Sequence, residues 1–240
     1  MVKKAVLFDL YGTLVHTNRN GEELLEIALQ RDYDFLQTRG CNVDFDHFRQ
    51  IDMRVFTHLQ NRKKEILQEI DLRTAYKEIL PAVGVPASDE IIKGSISAFG
   101  SAYEGVWELW PNVNHVLKSL REKGYALAIV SDAQAEYAQR DLRQLGILDS
   151  FDAIVFSSEV GWAKPHKAMF LAALEKLGVD ASKAVMVGDT FDEDIIGAKK
   201  MGIKAVLVAR REGQRSICGI QPDLLISDLS MLIECLDDLI

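Results

Sequence analysis

Three features of the sequence predict a three-layer α/β fold with a mostly parallel sheet and an all-helical second domain. Short apolar runs end abruptly in polar residues, amphipathic helical segments separate those runs, and one long stretch holds only helical patterns. The first run, Val6-Leu7-Phe8, stops at Asp9 and is followed by Gly12. The design returns at 125–130, which ends in Ser131-Asp132, at 153–156, which ends in Ser157-Ser158, and at 184–187, which ends in Gly188-Asp189. A run at 205–208 follows Gly202, and 224–226 reads as a last short strand. Continuous apolar runs bounded by turn residues suit strands buried on both faces, the habit of parallel sheets.

Helical periodicity fills the gaps. Segment 114–123 carries Val116, Leu117 and Leu120 on one face, and 167–177 and 193–201 behave alike. Gly124, Gly146, Gly178 and Gly202 stand where helix C-caps belong. From about Gly21 to Trp107 the alternation breaks: Leu24, Ile27, Ala28 and Leu36 open a series of helical patterns without a convincing strand. The expected division is therefore a core of residues 1–15 and 110–240 and a helical cap of residues 16–109. Trp107 and Trp110 read as packing anchors where the two meet.

Hydrophobic residues make up 48% of the chain and charged residues 27%, which excludes a disordered protein. A net charge of −8 gives no electrostatic reason for nucleic acid or an anionic membrane as partner. The basic runs Arg62-Lys63-Lys64 and Arg210-Arg211 read as solvated faces. Cys41, Cys218 and Cys235 are scattered and odd in number, as suits a reducing compartment. With no signal-type segment at the start and no long apolar span, the expectation is a cytoplasmic protein. Its oligomeric state has no sequence signature.

Ligands of open α/β sheets bind beyond the carboxyl ends of the strands. If the runs are neighbouring strands, Asp9, Ser131, Lys164, Asp189 and Asp194 converge on one crevice. Three carboxylates placed together repel one another and call for a cation, and oxygen-only ligands favour a hard one, Mg²⁺. Lys164 and Ser131, with nearby backbone amides, suit a phosphate beside that ion. An Asp so placed can attack phosphorus and form an aspartyl-phosphate that water then hydrolyses. Thr13 either shapes the turn after Asp9 or touches the phosphate, and Asp132 lies beside Ser131 as a phosphate-site neighbour or a turn residue. Asp192 reads as a helix-start acid and His166 as a local cap.

Four segments in order carry a family resemblance. Phe8-Asp9-Leu10-Tyr11-Gly12-Thr13-Leu14, Ile129-Val130-Ser131-Asp132, Gly161-Trp162-Ala163-Lys164-Pro165 and Gly188-Asp189-Thr190 through Asp194 to Gly197-Ala198 resemble motifs I to IV of the haloacid dehalogenase-like superfamily. That resemblance implies a Rossmann-like core with a helical cap inserted after motif I. It implies Asp9 as nucleophile and metal ligand, the backbone carbonyl of Tyr11 and the carboxylates of Asp189 and Asp194 as further metal ligands, and Ser131 and Lys164 as phosphate holders.

The chain departs from the phosphatase pattern at Tyr11, where phosphatases of the family carry an Asp acting as general acid and base. A phenol with a pKa of about 10 is a poor base at neutral pH, and losing such a group costs on the order of 10²–10⁴ in rate. His16 is a candidate to substitute, and a surface or hinge residue otherwise. The Asp-Leu-Tyr-Gly-Thr-Leu form resembles instead the 2-haloacid dehalogenases, whose Asp displaces halide from carbon. Against them stand Gly188-Asp189 and Ser131-Asp132 and the lack of a clear carboxylate-binding Arg in the cap, where Arg19, Arg31 and Arg39 match only by rough position. The reading is a Mg²⁺-dependent phosphatase of a small phosphorylated metabolite. The alternatives are a 2-haloacid dehalogenase and a non-catalytic ligand-binding or regulatory protein.

Overall fold

The computed structural model describes residues 3–210 and 219–240. Arg211 and Cys218 lie outside the described residues. The chain forms two compact units, Met1–His16 with Glu108–Ile240 and Thr17–Trp107.

The first unit is built on a six-stranded parallel sheet. In chain order its elements are β1 (Ala5–Phe8), the two-residue β2 (Val15–His16) and β3 (Glu108–Leu109), then α5 (Val113–Glu122), β4 (Ala126–Ser131) and α6 (Ala135–Gln144). After them come β5 (Ala153–Phe156), α7 (Ser157–Val160), α8 (Lys167–Leu177), β6 (Ala184–Gly188), α9 (Ile196–Lys200), β7 (Lys204–Val208), β8 (Leu224–Ile226) and α10 (Leu232–Cys235). The strand order is β5-β4-β1-β6-β7-β8. Leu7 of β1 stands opposite Ala128 of β4 and Met186 of β6, so β1 is central and its neighbours are the strands that end in Ser131 and Gly188. The chain leaves β1 toward β4 and β5 and returns on the other side through β6, which makes the β1 end a topological switch point.

All four residues of β1 and all six of β4 are buried, as continuous apolar runs require when helices cover both faces. One cluster on the sheet joins Leu7, Val130 and Met186 to Met169, Phe170 and Ala173 of α8 and to Phe191 and Ile195. Each of the larger side chains contributes about 1.5–3 kcal/mol on burial, so the strand ends are fixed by a rigid support.

Two features differ from the sequence reading. Val15 pairs with Leu109 and His16 with Glu108 in an antiparallel ribbon that two-residue segments do not announce. The helix expected over 193–201 begins only at Ile196, because Phe191–Ile195 forms a turn of π-helix first. That wider turn sits where acidic side chains return toward the strand end, a common functional use of π geometry.

The second unit has four helices: α1 (Gly21–Gln37), α2 (Phe45–Ile66), α3 (Leu72–Ala82) and α4 (Asp89–Gly100). Each starts at a polar cap, namely Asn20, Asp44, Asp71 and Ser88, whose side chain accepts a backbone N–H of the first turn. Leu24, Leu36, Phe48, Ile79, Leu80 and Ile92 are all buried in its core. No helix among the described residues is long and apolar enough to cross a membrane.

Candidate active site

Asp9 extends β1 by one residue, its N–H bonding to the carbonyl of Val187 on β6 at 3.0 Å. The chain then turns sharply. Leu14 and Val15 both donate their N–H to the carbonyl of Leu10, and Gly12 donates to Val15. Gly12 has φ +95°, and a Cβ there would stand 2.5 Å from the Asp189 carboxylate. Only glycine meets both demands. The indole N–H of Trp110 donates to the Gly12 carbonyl at 3.1 Å, and the backbone N–H of Trp110 to the Leu14 carbonyl at 3.0 Å. Its ring packs on the imidazole of His16, 4.1 Å away, and on the Arg210 guanidinium, 4.2 Å away. Trp110 is thus more than a packing anchor: it pins the loop that carries Asp9.

One oxygen each of Asp9, Asp189 and Asp194 lie within 4.8 Å of one another. Lys164 enters beside them, its ammonium 2.8 Å from Asp9 Oδ1 and 2.6 Å from Asp194 Oδ1. The Thr13 hydroxyl lies 3.2 Å from Asp9 Oδ2 and 3.1 Å from Asp189 Oδ1, donating its one proton to either. Lys164 therefore holds one oxygen of Asp9, and the other lies within reach of the Thr13 hydroxyl that Asp9 shares with Asp189. Asp194 also accepts the N–H of Thr190 at 3.0 Å. Gly188 leaves room for that carboxylate, which a Cβ at position 188 would strike.

The electrostatics are those of a site short of positive charge. Three carboxylates face the Lys164 ammonium, with the Arg210 guanidinium close enough to act on Asp189. Burial favours neutral Lys164, but Asp194, Asp9 and Asp132 outweigh it and hold the ammonium above the ordinary lysine range. Complete burial pushes the Asp194 carboxyl up against the pull of Lys164, and Asp9 adds to the push. An all-oxygen donor set with unbalanced negative charge fits a hard divalent cation.

The other sequence candidates fall around this cluster. Ser131 is buried at the end of β4, the strand beside β1. Asp132 accepts the backbone N–H of Lys164 at 2.9 Å, so its carboxylate anchors the lysine's loop. His166 caps α8 and stacks on Trp162 at 4.1 Å, and Asp192 lies in the π turn.

Sequence reasoning missed Asp141. This buried residue of α6 accepts the Tyr11 hydroxyl at 2.7 Å and pairs with Arg140 at 3.1 Å. Burial first, then Asp141, pushes the Tyr11 phenol above the ordinary tyrosine range. No local pattern marks an Asp inside an amphipathic helix as the partner of a residue 130 positions away.

The family model for haloacid dehalogenase-like hydrolases matches residues 3–202. The chain is 30% identical over 203 residues to the glyceraldehyde 3-phosphate phosphatase of Pyrococcus abyssi, with 85% of this chain and 80% of the relative covered. It is 37% identical over 212 residues to the ribulose-1,5-bisphosphate 5-phosphatase of Halopiger xanaduensis, with 85% and 83% covered. Among solved structures, the 2-haloacid dehalogenase of Pseudomonas syringae pv. Tomato superposes with a TM-score of 0.75 at 27% identity, with 99% of each chain covered. A buried Asp at the switch point, a lysine bridging two carboxylates and a match over most of the chain lead to one assignment: the protein belongs to the haloacid dehalogenase-like hydrolases.

Proposed function

We propose that the protein is a Mg²⁺-dependent phosphatase of a small phosphorylated metabolite, working through an aspartyl-phosphate on Asp9. The observation that carries this reading is the trio of Asp9, Asp189 and Asp194 within 4.8 Å. Such a trio without a cation would repel an anionic haloacid, which counts against dehalogenation. Asp9, the Tyr11 carbonyl, Asp189 and Asp194 would hold the ion, and when bound it supplies charge neutralisation and alignment of the phosphoryl group.

In this scheme an Asp9 carboxylate oxygen attacks phosphorus and the bond to the leaving oxygen breaks. Lys164 balances charge on the phosphoryl oxygens, and Ser131 and Thr13 orient them and the nucleophile. Water then attacks the aspartyl-phosphate, releasing phosphate and free Asp9. Asp132 keeps the Lys164 loop in place. The helical unit would act as the cap that excludes water and selects substrate. Free thiols at Cys41 and Cys235 suit a reducing compartment such as the cytoplasm.

Tyr11 shapes the substrate range. Its proton is committed to Asp141, so it does not protonate the departing group. Aryl and acyl phosphates, whose leaving groups need little protonation, are the expected substrates. The named substrates of the two relatives are alkyl phosphates and form the other arm of the test. With Mg²⁺ present, kcat/KM for an aryl phosphate should exceed that for glyceraldehyde 3-phosphate or ribulose 1,5-bisphosphate by about 10² or more. Equal rates would show that another group supplies the proton.

A further inference from the structure

The interior of the helical unit is apolar except at one place, where all four helices meet in polar atoms. Asp32 comes from α1, Asp52 from α2, Tyr76 from α3 and Ser95 from α4. Asp32 and Ser95 are fully buried, Tyr76 is 2% exposed and Asp52 is 4% exposed. The Tyr76 hydroxyl donates to Asp32 Oδ2 at 2.8 Å. Three oxygens remain without a hydrogen-bond partner: Asp32 Oδ1, Asp52 Oδ1 and Ser95 Oγ. Ser95 stands beside Asp32, and Asp52 feels the charge of Asp32.

Buried polar atoms are nearly always satisfied, and a buried carboxylate left unpaired is costly. No basic side chain among the described residues answers these two acids. On α1, Arg31 donates to Ser101 and the Tyr33 hydroxyl to the Val43 carbonyl. On α2, Arg49 faces Glu26 and Lys63 faces Glu69, and on α3, Arg73 faces Asp89. A proton is the one ligand that repairs the cluster without new space. Placed on either carboxyl it removes the charge that burial penalises and relieves the repulsion between the two acids.

We infer that Asp32 and Asp52 form a proton-binding site in the helical unit, holding at least one proton between them when the four helices are packed and loosening that packing when the proton is lost. Burial raises the Asp32 carboxyl to about 7 against the hydrogen bond from Tyr76 and the nearby Ser95 hydroxyl, and burial with the Asp32 charge raises Asp52 to about 7. These values lie above the ordinary 3.8, so the folded unit binds protons that the unfolded chain has released. The stabilisation is complete at pH below the ordinary value and is lost as pH rises through the folded value. Its sign is opposite to that of a salt-bridged carboxylate.

Two readouts on the full chain test this. In protein labelled with ¹³C-aspartate, the carboxyl carbons of Asp32 and Asp52, assigned with Asp32→Asn and Asp52→Asn, should titrate as a coupled pair near neutrality. Native-state hydrogen exchange in α1 to α4 should show the folding constant of the unit falling up to about tenfold per pH unit for each carboxyl between pH about 4 and 7. Asp52→Asn should flatten that slope and be more protected than the unmodified protein at pH about 8. Carboxyl carbons that titrate in the ordinary aspartate range overturn the inference. So do parallel pH profiles for the unmodified protein and Asp52→Asn, and so does protection restored at high pH by Na⁺, Mg²⁺ or Ca²⁺, which would make the ligand a metal ion. If Asp32→Asn does not fold, the carboxyl shifts of the unmodified protein and Asp52→Asn still decide.

Discussion

Asp9→Asn is expected to abolish turnover, with kcat lower by on the order of 10⁴ or more, the scale on which catalytic units fail when the nucleophile is lost. The amide keeps the shape of the carboxylate, so the effect isolates chemistry from packing. Lys164 retains Asp194 as a partner, and one of three mutually repelling charges disappears, so the fold should tolerate the change. Steady-state kinetics beside thermal unfolding separate the two. A variant that folds normally and keeps more than about one per cent of the rate would remove Asp9 from the nucleophile's role, because loss of the attacking group costs far more than that.

Lys164→Met is expected to damage stability and activity together. Lys164 is 3% exposed and its ammonium bridges two buried carboxylates, which methionine would leave without that cation. Removing one partner of a buried pair costs about 3–5 kcal/mol, since the remaining charge stays desolvated. In catalysis the loss of charge stabilisation at the phosphoryl group should lower kcat by about 10²–10³. Mg²⁺ offers the carboxylates an alternative partner, so it should raise the melting temperature of Lys164→Met more than that of the unmodified protein. Calorimetry with and without the ion checks this. Equal melting temperatures for the two proteins without metal would show that Lys164 does not neutralise the cluster.

Both predictions rest on residues that the sequence exposes. Asp9, Ser131 and Gly188-Asp189 were legible because a buried parallel strand must end in a change of polarity, and adjacent strand ends face one crevice. Lys164 and Asp194 were legible only through their spacing from those strands, since lysines and acids at loop and helix starts are ordinary. The α/β alternation and the helical stretch follow from apolar periods long enough to be read. What escaped detection was set by tertiary contact. The β2–β3 ribbon has two residues per strand, too few for a period. The π turn at Phe191–Ile195 has the composition of a normal helix start. Asp141 and the Trp110 indole act on Tyr11 and Gly12 across 130 and 98 positions, distances over which one sequence carries no pairing signal. The polar cluster of the helical unit is hidden for the same reason, because Asp32 and Asp52 occur in helices otherwise rich in exposed charge.

Tyr11 is where the levels of description meet. Read alone it points to carbon chemistry, and beside Asp189 and Asp194 it points to phosphorus with an easy leaving group. Asp141 explains why a tyrosine is stable there: the hydroxyl is satisfied within the core unit and the ring is held.

The most direct test is release of inorganic phosphate from an aryl phosphate by the purified protein, with Mg²⁺ or with chelator, next to halide release from a 2-haloacid under the same conditions. Phosphate release that requires Mg²⁺, with no halide release, is the predicted result. Halide release that persists in chelator, with no phosphate released under any divalent ion, would contradict the account and make the protein a dehalogenase.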